Sequence, residues 1–242
     1  MSLYLYCLID DAAPIESVIF TGPNEGISGS KVTLFCLGDF ALVVSDFAGA
    51  SVPVTRENVL KHAEVVGSLL PITTPLPFRF GTLATEEKLE SFLDSRSKAL
   101  QAKQKLVRGC VEMSVKIIWE REWTEDPRKE EPDKPGTAFL AEKRREIIGS
   151  EARANEARKI ARWLEDRLGD VVRAVDSKTN NTSKLLVTAA HLVARDTIDE
   201  YKTRLKNARL ERPELHFLAS GPWPPYSFAN IDLEVKTQFG VS

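Results

Sequence analysis

Cysteine is scarce and scattered: Cys7, Cys36 and Cys110 are the three in 242 residues, and no two form a C-x-x-C pair. That spacing excludes a zinc knuckle, a thioredoxin-type redox pair and a disulfide framework. Each lies in an apolar run, where a reduced thiol is expected to pack as a small buried hydrophobe. Histidine is equally sparse. His62, His191 and His216 have no cysteine, histidine or carboxylate at ligand spacing, so they read as packing or surface residues. Asp10-Asp11 lacks the pattern of a calcium loop. No metal site is expected.

Signatures of nucleotide and acyl chemistry are missing as well. Gly22, Gly26 and Gly29 do not fit G-x-G-x-x-G, no Walker motif occurs, and Ser45-Asp46 is not set in a nucleophile elbow. No catalytic residue and no cofactor are expected. Lys and Arg number 33 against 35 Asp and Glu, so no global field draws the chain to nucleic acid or anionic lipid. No window reaches the ~18 uninterrupted apolar residues of a membrane span. Met1-Ser2-Leu3-Tyr4 opens no signal peptide, and the expectation is a soluble intracellular protein. Tyr6 and its neighbours are superficially similar to the first motif of RNA-recognition modules, but the basic-Gly-aromatic second motif is absent. A ferredoxin-like module that binds RNA or a small molecule therefore stands as the competing reading.

What the chain does contain is alternating α and β signal. Residues 3–9, 32–37 and 40–45 read as strands, the latter two joined as a hairpin by Gly38-Asp39. Thr55 is placed to cap a helix with Val59, Ala63, Val66 and Leu70 on its inner face, ended by Pro71. Residues 72–80 read as an extended edge segment, because Pro75 and Pro77 cannot donate to a ladder. A second helix follows Thr85 and stops at Gly109. In the next strand, Val111, Met113, Val115, Ile117 and Trp119 alternate with Glu112, Ser114 and Lys116, predicting one buried and one wet face. The charged, proline-bearing residues 120–136 read as a loop, and residues 137–168 as a long charged helix with a narrow apolar seam. Strands at 171–175, 184–193 and 214–220, with a helix at 196–210, complete a β-α-β-β-α-β order.

That order is the split βαβ pattern. The fold class expected is α+β with two domains: a modified ferredoxin-like domain over 1–109, a second α+β domain over 110–220, and a tail over 221–242 packing back on the first. The tail begins Gly221-Pro222-Trp223-Pro224-Pro225-Tyr226-Ser227-Phe228. Its prolines predict extended, polyproline-like chain that leaves the sheet. Burying Trp223 would remove ~150 to 250 Å² from water and pin the tail. Arg79, between Phe78 and Phe80, is suited to grip a carboxylate, stack on a ring or form an interdomain ion pair. The candidate partner-binding or interdomain residues are Arg79, Phe80, Trp223, Tyr226 and Phe228.

Three segments, Pro75-Leu76-Pro77-Phe78-Arg79-Phe80-Gly81-Thr82, the strand with Val111-Glu112-Met113-Ser114-Val115-Lys116, and Gly221 to Phe228, together resemble the gas vesicle protein GvpL/GvpF family. Tyr4-Leu5-Tyr6 and His62 extend the likeness across the chain, and the moderate length and charged central helix are closer to the F-type member. The resemblance implies a minor, non-catalytic protein of the gas vesicle, needed in assembly and associated with the small hydrophobic shell protein GvpA and other minor vesicle proteins, without nucleic acid or membrane. A shell subunit with exposed apolar strands aggregates through unpaired edges, and a partner offering a sheet edge can pair them transiently. The edge at 72–80 and the aromatic tail place that surface on the first domain, as an expectation.

Overall fold

β1 (Ser2–Ile9) is buried from Leu3 to Ile9 in the computed structural model, which describes residues 2–9, 23–119, 135–180, 185–231 and 233. An uninterrupted run of Leu, Tyr, Cys and Ile suits a strand enclosed on both faces. β3 (Phe40–Phe47) pairs antiparallel on one side, with a register shift between Leu5 and Cys7. The two-residue strands β4 (Leu76–Pro77) and β5 (Leu83–Ala84) pair on the other. β2 (Val32–Leu37) joins β3 through the expected Gly38-Asp39 turn, and the sheet order is β2-β3-β1-β4. Cys36 on β2 is exposed while Cys7 and Cys110 are buried, so the expectation of three buried thiols fails at this outer strand.

α1 (Arg56–Ser68) starts as expected, with Thr55 Oγ1 accepting from the Asn58 amide at 3.2 Å. Its inner face is different. The structure buries His62, Val65, Val66 and Leu69, and leaves Val59 41% exposed. Both sets fit a 3.6-residue period. The polarity of His62 argued against the true face, and the Tyr4 hydroxyl that meets this histidine removes the argument. α2 (Glu86–Val107) is capped by Thr85 and followed by Gly109 at φ +70, buries Leu89, Leu93, Leu100 and Val107, and carries Glu86 and Glu87 at its positive end.

The second sheet runs β7 (Val172–Thr179), β8 (Leu185–Ala194), β6 (Cys110–Trp119), β9 (Leu215–Trp223) in space. α3 (Pro135–Leu168) and α4 (Ile198–Glu211) connect its strands. α3 packs against β7, β8 and α4 with Ala157, Ile160, Ala161, Leu164 and Leu168 buried, so the narrow seam gains Ile160. Residues 120–134 lie outside the described residues. Counted within each sheet, both orders are second, third, first, fourth.

Two further expectations are corrected. Glu112 is buried, so β6 has no wet face at its start. β9 does not stop at Ser220 but continues through Gly221-Pro222-Trp223, which its outer position in the sheet allows because an edge strand tolerates the missing proline N–H. Only after Trp223 does the chain leave the ladder, turning through Pro224-Pro225 into the single-turn helix α5 (Tyr226–Ala229). The chain divides into two compact units, Met1–Glu112 with Pro222–Ser242, and Met113–Gly221. The first is therefore discontinuous in sequence. Among the described residues no helix is long and apolar enough to cross a membrane.

Gly26 shows how tightly β1 is enclosed, since a Cβ there would stand 2.0 Å from the Tyr6 hydroxyl oxygen. Gly26→Ala should cost about 2 kcal/mol by overpacking, whereas Gly67→Ala, in α1 with nothing within 4 Å of the added carbon, should stabilise by ~0.5 to 1 kcal/mol. Urea unfolding of the two variants measures both, and a loss at Gly67 equal to that at Gly26 would contradict the assignment.

Candidate functional site

Tyr4 and Tyr6 are two apart on β1 and share one face of the sheet, with ring centroids 4.7 Å apart. α1 lays His62 across them, stacked on Tyr6 at 5.6 Å and edge-on to Tyr4 at 5.7 Å. Every hydroxyl here is engaged. The Tyr4 oxygen lies 2.8 Å from His62 Nδ1 and accepts from the Gly81 N–H at 3.2 Å. The Tyr6 oxygen accepts from the Ile27 N–H at 2.8 Å and pairs with Ser45 Oγ at 3.2 Å. We assign Tyr4 as donor to Nδ1, which leaves the imidazole hydrogen on Nε2. Nε2 is buried and makes no hydrogen bond of regular geometry, although the Phe78 carbonyl is close enough to favour a proton there.

Phe80 closes the cluster edge-on, 6.0 Å from His62, and Tyr226 of α5 approaches the same ring at 6.4 Å. Just beyond, the Glu112 carboxylate accepts from the Ser227 N–H at 2.8 Å and from the Ser227 hydroxyl at 2.9 Å. Lys103 Nζ donates to the Ala229 carbonyl at 2.6 Å. Phe78 pairs with Ile231 in a parallel bridge. The opening strand, His62, the 75–82 segment, the first turn of β6 and the proline-aromatic segment thus meet at one locus.

Burial governs its electrostatics. It lowers His62 to about 4 against the opposing Phe78 carbonyl, and it raises Tyr4, Cys7 and Tyr226 above their ordinary ranges. At neutral pH all four are uncharged, so the cluster presents neither thiolate nor phenolate. Among the described residues no group of three or more His, Cys, Asp or Glu side chains is placed to hold a metal. The second unit has a counterpart: fully buried His191 meets the Tyr201 hydroxyl through Nδ1 at 2.8 Å, and burial lowers this histidine to about 4.

The five candidate residues separate. Phe80 and Tyr226 join the cluster. Arg79 is exposed, and its carbonyl accepts from the Thr82 N–H and hydroxyl at 3.2 and 2.6 Å. Phe228 is half-buried, and Trp223 is 50% exposed. The anchoring expected of Trp223 falls instead to Pro224, Pro225, Ala229 and Ile231, all buried. Glu112 and Ser227 are the hydrogen-bonded pair that strand alternation hid; a carboxylate between Val111 and Met113 in the most regular strand was the available signal.

A family model described as gas vesicle synthesis protein GvpL/GvpF matches residues 2–230. Gas vesicle protein F1 of Halobacterium salinarum is 25% identical, covering 89% of this chain and 90% of the relative. Gas vesicle protein L of a Streptomyces species is 26% identical, covering 94% and 92%. The crystal structure of the gas vesicle protein GvpF from Anabaena sp. PCC7120 superposes with a TM-score of 0.74 at 18% identity over 96% of this chain and 97% of that one.

Two measurements follow from the geometry. An unfolded histidine binds its proton near pH 6.5 and these two bind theirs only near 4. Between those values the unfolded chain takes up protons that the folded chain refuses. Stability is therefore full above pH 6.5 and falls as the pH drops toward 4, by roughly 3 kcal/mol for each histidine. Thermal melts between pH 7 and 4.5 should show this fall, reduced in His62→Gln. Ser227→Ala should cost about 1 to 3 kcal/mol, because the Glu112 carboxylate loses a donor inside the fold; chemical denaturation at pH 7 reads it.

Proposed function

The chain belongs to the gas vesicle synthesis protein GvpL/GvpF family, and from that footing we propose that it is a non-catalytic assembly and minor structural protein of the gas vesicle. In this reading it binds the hydrophobic shell protein GvpA, alongside other minor vesicle proteins, and limits shell aggregation while a vesicle nucleates. One observation supports the non-catalytic part: Tyr4, Cys7 and His62 are buried, with Tyr226 closing the cluster while 39% exposed, and burial shifts each of them toward its uncharged form at neutral pH. We read residues placed in this way as closing a fold, since structural polar networks also shift such groups. F-type and L-type relatives stand at nearly the same identity, 25% and 26%, so the reading is made for the family as a whole.

We read the second unit as ferredoxin-like, supported by its β-α-β-β-α-β sequence and the spatial order β7-β8-β6-β9. The first unit is read as a modified version, with the same spatial order and α1 after the hairpin. The domain reading carried with it is 1–109, 110–220 and a tail from 221 that belongs functionally with the first. We assign shell binding to the first unit. Its β4 edge is covered by the chain itself, but α1 turns Val59, Leu60 and Ala63 outward beside Val54, with Leu60 57% and Val54 84% exposed. An apolar stripe of this kind suits a hydrophobic partner.

Separately expressed halves would sever Ser227 from Glu112, so the test uses the full chain. Co-expression with GvpA should keep the shell protein in the soluble fraction and copurify it. Leu60→Glu should weaken that retention about tenfold, the loss of one buried leucine, whereas Leu210→Glu in the second unit, at a residue 73% exposed, should leave it intact. The reverse pattern would move the binding surface to the second unit, and no retention by the unaltered chain would reject the reading.

A further inference from the structure

The proline-bearing edge of the first sheet is closed from within. Leu76 and Phe78 are fully buried, Thr73 and Thr74 nearly so, and what lies on this edge is α5 followed by Ile231, paired in parallel with Phe78. An uncovered edge of this composition would present backbone groups and apolar side chains to any extended chain. The covering segment is anchored by buried Pro224, Pro225, Ala229 and Ile231, but its backbone is paired to the edge at a single point among the described residues. Among the described residues it contributes one isolated bridge, a helix of a single turn, and polar contacts with Lys103 on the Ala229 carbonyl and Glu112 on Ser227.

Strain marks the same place. Asn230, between the end of α5 and the bridge, has φ +37, and only Ser28 shares a positive φ among the described non-glycine residues. An L-residue holds that conformation at a penalty, and asparagine bears it best. A single backbone bridge, a strained turn and a buried apolar edge beneath are the ingredients of a cover that exchanges with another strand.

We propose that residues 224–231 are an intramolecular strap over the β4 edge, and that an extended apolar segment of the shell protein displaces it by taking the place of Ile231 beside Phe78. The inference rests on the reading of the first unit as the shell-binding unit and adds to the α1 stripe a second docking surface, the β4 edge, which the strap covers until the partner binds. The incoming segment has a defined chemistry: a branched apolar side chain at the Ile231 position, a carbonyl for Lys103, and a donor for Glu112. Docking by displacement makes the edge available to a partner strand while denying it to solvent and to other copies of the chain.

Hydrogen exchange on the full chain, alone and copurified with co-expressed GvpA, tests it. Strap displacement should strip protection from the amides of Phe228 and Ala229, which bond to the Pro225 carbonyl in the closed state, with β8 unchanged as the control. Ser227→Ala, which loosens the strap, should raise GvpA affinity at least threefold. A complex in which both amides stay protected overturns the strap and leaves the proposed function standing, as does unchanged affinity in the variant. Absence of any complex with GvpA overturns both.

Discussion

Two phenol oxygens inside the first sheet have to be satisfied without water, and the first unit is arranged around doing so. A buried hydroxyl left unpaired costs about as much as a typical hydrogen bond is worth several times over. Tyr6 draws in the Ile27 amide and Ser45, and the approach of that loop leaves no room for a side chain at Gly26. Tyr4 draws in His62 and the Gly81 amide. These contacts reach α1, β3, the loop before β2 and the turn after β4, so the placement of each follows from strand β1.

The second unit solves the same problem with the roles exchanged. In the first the tyrosine is on the strand and the histidine on the helix; in the second His191 lies on β8 and Tyr201 on α4. Both histidines are held neutral by burial, and both sheets share one spatial order. A buried polar pair tying sheet to helix specifies their relative rotation, because only one registry satisfies both groups. Surface ion pairs, such as Arg204 with Asp170 at 2.8 Å, add little by comparison.

Local rules made much of the architecture legible. Thr55 and Thr85 start their helices, Gly109 ends the second, Gly38-Asp39 turns the hairpin, and the apolar runs of β1, β3 and β6 are strands. What stayed hidden depended on partners distant in the chain. The inner face of α1 was ambiguous because two apolar stripes share its period, and only Tyr4, 58 residues away, decides between them. Glu112 looked like a solvent-facing position because its donor, Ser227, is 115 residues on. Trp223 looked like an anchor on size alone, yet the smaller Pro224, Pro225, Ala229 and Ile231 are the residues that fit beneath neighbouring side chains.

The discontinuity of the first unit sets an order of events during biosynthesis. Residues 113–221 form the second unit and are translated between the two parts of the first. Until they have emerged, β4 has no Ile231 beside Phe78, and Glu112 has no Ser227. A nascent chain on the ribosome therefore carries an open sheet edge for the whole time that its second unit is being made. The pairing of Ile231 with Phe78 can close that edge only after the whole second unit has been made.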